Sequence, residues 1–243
     1  MKLSIIIPAY NEEKRILPTL ENYYSFFEEK LGKDFEIIVI PNNCNDKTFE
    51  LSETFSKQKK NVIVKNFPFY TGKGGAVKRG FELAKGELIG FTDADGSTNA
   101  ENFFKLFTNI ENHEGIIASR KIKGAEVFPR RRFFQDISSF LFNIASRILL
   151  NLKYKDTQCG AKLFQKKTAK FLAKNSAETG WIFDVDFLYL CKNNSKKIRE
   201  FPIKWKDSEG SKLTFLSGIN SFLSLMKYSL RNRFFLKHPE KRS

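Results

Sequence analysis

Cysteine is scarce in this 243-residue chain: Cys44, Cys159 and Cys191 are odd in number, far apart and in no C-x-x-C pair. That argues against both a disulfide framework and a zinc site, and it fits a reducing compartment. Histidine is scarcer still. His113 and His238 lie in polar surroundings, with no H-E-x-x-H and no G-x-S-x-G anywhere, so zinc-protease and serine-hydrolase chemistry lack their residues. No apolar stretch approaches the roughly 18 residues of a membrane span, and the run KLSIIIPAY is too short and too soon broken by proline for a signal peptide. We therefore expect a chain that is soluble or lies on a surface. Acidic residues are outnumbered, 27 against 42 basic, for a formal charge of +15 that favours anionic partners such as nucleic acid, nucleotide, lipid phosphate or an acidic membrane face. Part of that charge belongs to a general richness in Lys, Asn, Ile and Phe. Its clustering is more informative, because PRRRFF at 129–134 and the tail RNRFFLKHPEKR set basic residues beside aromatics.

No internal repeat is visible, and the length allows one large α/β domain or two small ones. LSIIIP and FEIIVI are short, β-branched apolar runs of the kind that form buried parallel strands. Between them, Ile16, Leu20, Tyr23 or Tyr24, Phe27 and Leu31 fall near helical spacing, which gives β-α-β. The alternation continues: DKTFELSETFSKQ helical, NVIVKN a strand, GGAVKRGFELAK helical, ELIGFTDAD a strand, AENFFKLFTNI helical and GIIASR a strand. Such a chain builds an α/β fold with a mostly parallel central sheet flanked by helices, and a crevice at the carboxyl ends of its strands. Beyond Arg120 the rhythm changes. Residues 133–150 read as an amphipathic helix with Phe133, Ile137, Phe140, Leu141, Ile144 and Ile148 on one face. Polar loops and short elements follow to about Lys212. The segment from Leu213 is again amphipathic, with Leu216, Ile219, Leu223, Met226 and Leu230 on one side. Such stripes ordinarily pack on their own core, and helices lying in a membrane surface are the rival reading.

TGKGGAVKRG at 71–80 fails as a Walker A loop, because Gly74 follows Lys73 where Ser or Thr is required; Val77 breaks a Rossmann fingerprint. What remains is a glycine turn before a helix, where the backbone can approach a ligand and Lys73 can offer charge. In FTDADGST at 91–98, Asp93 and Asp95 face one point if the extended geometry of ELIGF continues to the strand end. An EF-hand is excluded by Thr98 and Phe104 at its obligatory glycine and glutamate positions. Two readings stay open: an ordinary acidic turn, or hard oxygen ligands for Mg2+ or Mn2+ on a phosphate-bearing substrate.

Six motifs in order, SIIIPAYNEE at 4–13, GKGGAV at 72–77, DAD at 93–95, DTQCGAKLF at 156–164, GWIFDVDFL at 180–188 and GSK at 210–212, resemble the family 2 glycosyltransferases of GT-A fold. Among these the chain looks most like the dolichyl-phosphate β-glucosyltransferases and their dolichyl-phosphate mannose synthase relatives, across about residues 3 to 212. The resemblance implies a GT-A domain over 1–212; the remaining 213–243 read as a basic amphipathic segment for which membrane association is the rival to core packing. The resemblance implies that Pro8, Ala9, Tyr10 and Glu12 border the nucleotide, with Asn42 and Lys73 on the same donor. Asp95 would be the more direct ligand of Mg2+ or Mn2+, with Asp93 facing metal or ribose, and Asp184 and Asp186 near the reacting centre. Gln158 and Cys159 would lie in the acceptor loop, and Arg120, Arg130, Arg131 and Arg132 are expected to hold an acceptor phosphate. Two departures bear on this. Pro41 and Asn42 stand where the family often has two aspartates, which puts uridine-versus-guanosine selectivity in doubt, and Asp186 stands where Glu is usual.

The expectation is a metal-dependent inverting transferase that moves a hexose, glucose before others, from a nucleotide sugar (UDP-glucose in preference to GDP-mannose) to a polyprenyl phosphate. The alternative acceptor is a sugar hydroxyl of a polysaccharide or glycolipid. A non-catalytic basic module is disfavoured by the retained carboxylates, and no nucleic-acid partner is expected. The place expected for it is the cytoplasm, peripheral on the cytoplasmic face of an anionic membrane.

Overall fold

The computed structural model describes residues 1–128, 133–206 and 215–237, with the side chains of 133–137, 215–219 and 233–237 outside that description. The first half alternates as its hydrophobic periods require. In order come β1 (Leu3–Ala9), α1 (Ile16–Leu31), β2 (Phe35–Pro41), α2 (Thr48–Gln58), β3 (Val62–Val64), α3 (Gly72–Leu83), β4 (Leu88–Phe91), α4 (Ala100–Asn109) and β5 (Gly115–Ser119). Every residue of β1 and β2 is buried, which is why both read as unbroken apolar runs rather than alternating ones. Period two still sorts their side chains. Leu3, Ile5 and Ile7 pack with Tyr23, Phe27 and Phe103 under α1 and α4, whereas Ile6 packs with Val77, Phe81, Phe183 and Phe187 on the other face.

After β5 come β6 (Glu126–Phe128), α5 (Phe133–Leu150), β7 (Lys162–Gln165), α6 (Lys166–Asn175), α7 (Phe183–Asn193), β8 (Ile198–Pro202), β9 (Lys204–Lys206) and α8 (Phe215–Lys237). The main sheet has seven strands in the order β3-β2-β1-β4-β7-β5-β8. All its pairings are parallel except those of β7, which runs antiparallel to both β4 and β5. β6 and β9 form a separate parallel pair. From β1 the chain builds outward through β2 and β3 on one side, and β4 lies on the other. This reversal opens a crevice beyond the carboxyl ends of β1 and β4.

Helices α5 and α8 pack together, with Phe142, Leu225 and Tyr228 in one core cluster. Their apolar stripes are not what they bury. On α5, Phe140, Leu141 and Ile148 are exposed while Phe142, Asn143, Ser146 and Leu150 face inward. On α8, Leu223, Met226 and Leu230 are exposed and Leu225, Tyr228 and Ser229 face inward. Of the stripe residues named from sequence, Phe133, Ile137, Leu216 and Ile219 lie outside the described side chains. Polar bonds fix the inward faces: Asn143 Oδ1 accepts from the Thr157 backbone N–H and hydroxyl at 2.8 and 2.9 Å, and the Tyr228 hydroxyl donates to Asp186 at 2.5 Å. Among the described residues, no helix is long and apolar enough to cross a membrane.

Candidate active site

The crevice is bordered first by the end of β1. Pro8 and Ala9 sit opposite Ile40 and Pro41 of β2. The chain then turns at Asn11, whose φ of 52° lies in the left-handed region and whose side-chain oxygen accepts from Asn45 N–H at 2.8 Å. Tyr10 is 40% exposed and meets Tyr70 edge to face at 5.6 Å. The Glu12 carboxylate is held by Arg15 at 2.5 Å. Asn42, expected to contact a nucleotide, is instead committed locally. Its side-chain oxygen accepts from Thr71 N–H at 2.9 Å and Thr71 Oγ1 at 3.1 Å, and its amide donates to the Gly72 carbonyl at 3.2 Å. A buried amide with these partners pins the glycine turn rather than offering itself to a base edge.

That turn carries Lys73 into the crevice. Gly72 has φ 71°, and a Cβ there would overlap the Thr179 carbonyl, so the position admits only glycine. Lys73 Nζ reaches Asp93 Oδ1 at 2.5 Å. Burial by itself would lower the Lys73 pKa, but Asp93, Asp184 and Asp95 together outweigh it and raise it, so the ammonium stays charged. Burial pushes the Asp93 pKa up, with Asp95 and Asp184 acting in the same direction against Lys73.

β4 stops at Phe91, two residues short of Asp93, so the two carboxylates ride on a turn instead of a continuing strand. The turn is fixed from α1: Thr19 Oγ1 donates to the Ala94 carbonyl at 3.0 Å, and the Tyr23 hydroxyl donates to the Thr98 carbonyl at 2.7 Å and lies 2.9 Å from Thr92 Oγ1. Asp95 Oδ1 accepts from Ser97 N–H at 2.9 Å. Gly160 lies flat against Asp93, where any Cβ would collide with its carboxylate. Both aspartates remain partly exposed to the crevice. No cluster of three or more His, Cys, Asp or Glu able to enclose a metal occurs among the described residues. Asp95, together with a partly exposed Asp93 whose Oδ1 holds the Lys73 ammonium, fits a divalent cation whose remaining oxygen ligands would come with a phosphate-bearing substrate.

Asp184 and Asp186, two apart at the start of α7, point to different sides of the helix. Asp184 turns toward the Asp93 group and is buried in an ion pair with Lys162 at 2.5 Å, Lys162 also donating to the Cys159 carbonyl at 2.6 Å. Lys162 is fully buried on β7, 5.5 Å from the Phe91 ring centre. Reading the sequence did not single it out, since its only signal was a lysine opening the apolar run KLF. Asp186 is not brought to the Asp93 group. Its Oδ1 accepts from Tyr228, and its Oδ2 accepts from Ser176 Oγ at 2.6 Å and Glu178 N–H at 3.2 Å.

Arg120, expected to hold an acceptor phosphate, is likewise committed. Its guanidinium grips Asp156 through two bonds of 2.7 and 2.8 Å and stacks 5.4 Å from Trp205. Burial opposes ionisation of Asp156, but Arg120 overrides it and lowers its pKa. Arg120 therefore holds the 156–160 loop in place instead of presenting its fork to a phosphate. Cys159 is fully buried, with its thiol pushed up to about 11 by that burial, while Gln158 remains partly exposed. Arg130, Arg131 and Arg132, and the GSK motif, lie outside the described residues.

A glycine turn carrying a lysine, an acidic turn at the switch point and an antiparallel strand beside it define a glycosyltransferase of GT-A type. The chain belongs to the family described as Glycosyl transferase family 2, whose model matches residues 4–172. It is 33% identical over 244 residues to a dolichyl-phosphate beta-glucosyltransferase of Dictyostelium discoideum, covering 96% of this chain and 74% of that protein. Two solved structures share the fold. S. aureus TarS in complex with UDP-GlcNAc superposes with TM-score 0.60 at 21% identity, over 94% of this chain and 65% of that one. A mannosyltransferase from Pyrobaculum calidifontis in complex with GDP-Man and Mn2+ does so with TM-score 0.62 at 14% identity, over 95% and 64%.

Proposed function

We propose that this glycosyltransferase moves glucose from UDP-glucose to a dolichyl-type polyprenyl phosphate in a single displacement with inversion. The names of its relatives support the sugar and the lipid class. The observation that carries the choice of acceptor is that both carboxylates expected at the reacting centre are engaged, Asp184 by Lys162 and Asp186 by Tyr228, Ser176 and the Glu178 N–H. A sugar hydroxyl needs a general base to take its proton. A phosphate monoester has a second pKa near about 6 and arrives ionised. Its oxygen attacks the anomeric carbon, the bond from that carbon to the diphosphate oxygen breaks, and the nucleoside diphosphate departs with the electron pair.

Pro8, Ala9, Tyr10 and Glu12 border the nucleotide in this reading, and Lys73 offers its charge to the departing diphosphate. Asp95 and Asp93 would hold Mg2+ or Mn2+. When bound, the cation neutralises charge on the leaving group. Gln158 stands at the acceptor side. The exposed apolar faces of α5 and α8, with the basic 213–243 segment, suit a peripheral place on the anionic cytoplasmic face of a membrane where such a lipid resides. The test is incubation with Mg2+ or Mn2+, labelled UDP-glucose, GDP-mannose and other nucleotide sugars, and a polyprenyl phosphate. Label should enter an organic-soluble, mild-acid-labile product from UDP-glucose first. Label found only in a polysaccharide or glycolipid would replace this acceptor with a hydroxyl.

A further inference from the structure

Residues 176–180, between α6 and α7, are gripped from three sides. From α3, Lys78 Nζ donates to the Ser176 carbonyl and Gly75 N–H to the Thr179 carbonyl at 3.2 Å. From α7, Asp186 accepts from Ser176 Oγ and Glu178 N–H. From α8, Tyr228 reaches Asp186 and Arg231 reaches Glu178 Oε1 at 2.5 Å, with the Arg231 guanidinium 5.4 Å from the Tyr228 ring centre. Burial, reinforced by Asp186, raises the Tyr228 pKa, so its hydroxyl stays a donor to that carboxylate.

The segment in turn confines the glycine turn. A Cβ on Gly72 would strike the Thr179 carbonyl, and one on Gly74 would come within 2.5 Å of Phe183 Cβ. Lys73, between those glycines, bonds Asp93 and lies 5.9 Å from the ring centres of both Trp181 and Phe183. The path from α8 to Asp93 thus runs through charge-assisted hydrogen bonds, one backbone hydrogen bond from Gly75 to Thr179, and close packing of the glycine turn on Thr179 and Phe183.

We propose that Tyr228 and Arg231 of α8, acting through Asp186 and Glu178, are positioning residues for the donor side of the site. They fix residues 176–180, against which the 72–75 turn rests and from which Lys73 is aimed at the nucleotide diphosphate. This deepens the donor role given to Lys73 above and rests on it. It also accounts for a buried carboxylate, Asp186, that faces away from the crevice.

The experiment measures binding of UDP and of GDP, each with Mg2+, by calorimetry to the full chain and to Tyr228→Phe, Arg231→Gln and the exposed control Lys227→Gln. Tyr228→Phe should weaken binding of the preferred nucleotide about tenfold, the size expected for one lost charge-assisted hydrogen bond, and Arg231→Gln by less. Lys227→Gln should bind as wild type. In turnover, KM for the nucleotide sugar should rise in the first two while KM for polyprenyl phosphate stays constant, a split that a general loss of stability would not give. Should Tyr228→Phe fail to fold, Arg231→Gln, altered at a half-exposed side chain, carries the same test. Wild-type binding with unaltered affinity in the folded variants overturns the positioning role alone. A wild type that binds neither nucleotide overturns the donor reading and this inference with it.

Discussion

Single side chains in this site differ mainly in what already holds them. Asp95 sits on a partly exposed turn and contributes little core, so Asp95→Asn should cut transfer by orders of magnitude while the thermal midpoint stays within a degree or two of wild type. Near-normal metal-dependent turnover in that variant would remove Asp95 from the metal assignment. Asp184→Asn should behave in the opposite way. It strands the fully buried Lys162 ammonium, a loss on the order of 3–5 kcal/mol, so the midpoint should fall and should recover when Lys162→Met is added. Asp156 supplies a pH test. Its folded pKa is depressed by Arg120 despite burial, so its stabilisation is present above the unfolded carboxylate value of about 3.9 and is lost as pH falls through the lower folded value. Asp156→Asn should melt well below wild type at pH 7, and the gap should narrow below about pH 4. A constant gap across that range, read by thermal melts, would deny the pair its role. From sequence alone Asp156 was only the first letter of a motif, because its partner lies 36 residues away.

Helices α5 and α8 show what a periodicity can and cannot say. The sequence identified both stripes, yet an apolar face looks the same whether a core or a lipid surface covers it. Here the inward face of each helix, which also carries Phe142, Leu150 and Leu225, makes the specific bonds, through Asn143 to Thr157 and Tyr228 to Asp186, while Phe140, Leu141, Ile148, Leu223, Met226 and Leu230 of the stripes are left outward. Phe140→Ser and Leu223→Ser should each reduce pelleting with vesicles severalfold without lowering the thermal midpoint, since each side chain is more than half exposed. Unchanged pelleting in the double variant would assign the stripes to another partner. β7 illustrates the converse. It was hidden in a stretch of short elements because KLFQ is only four residues long, and its antiparallel place between β4 and β5 depends on partners 45 to 77 residues earlier.

At the scale of the molecule the charge of +15 predicts attraction to anionic surfaces. Each basic residue near such a surface contributes roughly 1 kcal/mol at low salt, and the effect decays over a Debye length of about 10 Å at 0.1 M. Vesicles with a third phosphatidylserine should therefore pellet the protein at low ionic strength and release part of it in 0.5 M salt, the remainder being held by the apolar stripes. Complete release by salt would mean that the stripes do not insert. Equal pelleting with neutral vesicles would mean that charge plays no part.

The sequence by itself determined the parallel half of the sheet, a crevice at the carboxyl ends of its strands, and the glycine turn that borders it, whereas it ran β4 on through Asp95 where the structure has a turn. Each of these is written in a local pattern: unbroken apolar runs, helical spacing, or glycine where a Cβ has no room. Only the tertiary structure decided which polar groups remain available for chemistry. Asn42 pins the glycine turn, Arg120 grips Asp156, Lys162 neutralises Asp184, and Asp186 faces α8. The physical reason is that a buried charge or amide must be paired, and its partner, 22 to 42 residues away in these cases, is chosen by packing in three dimensions rather than by any neighbour along the chain.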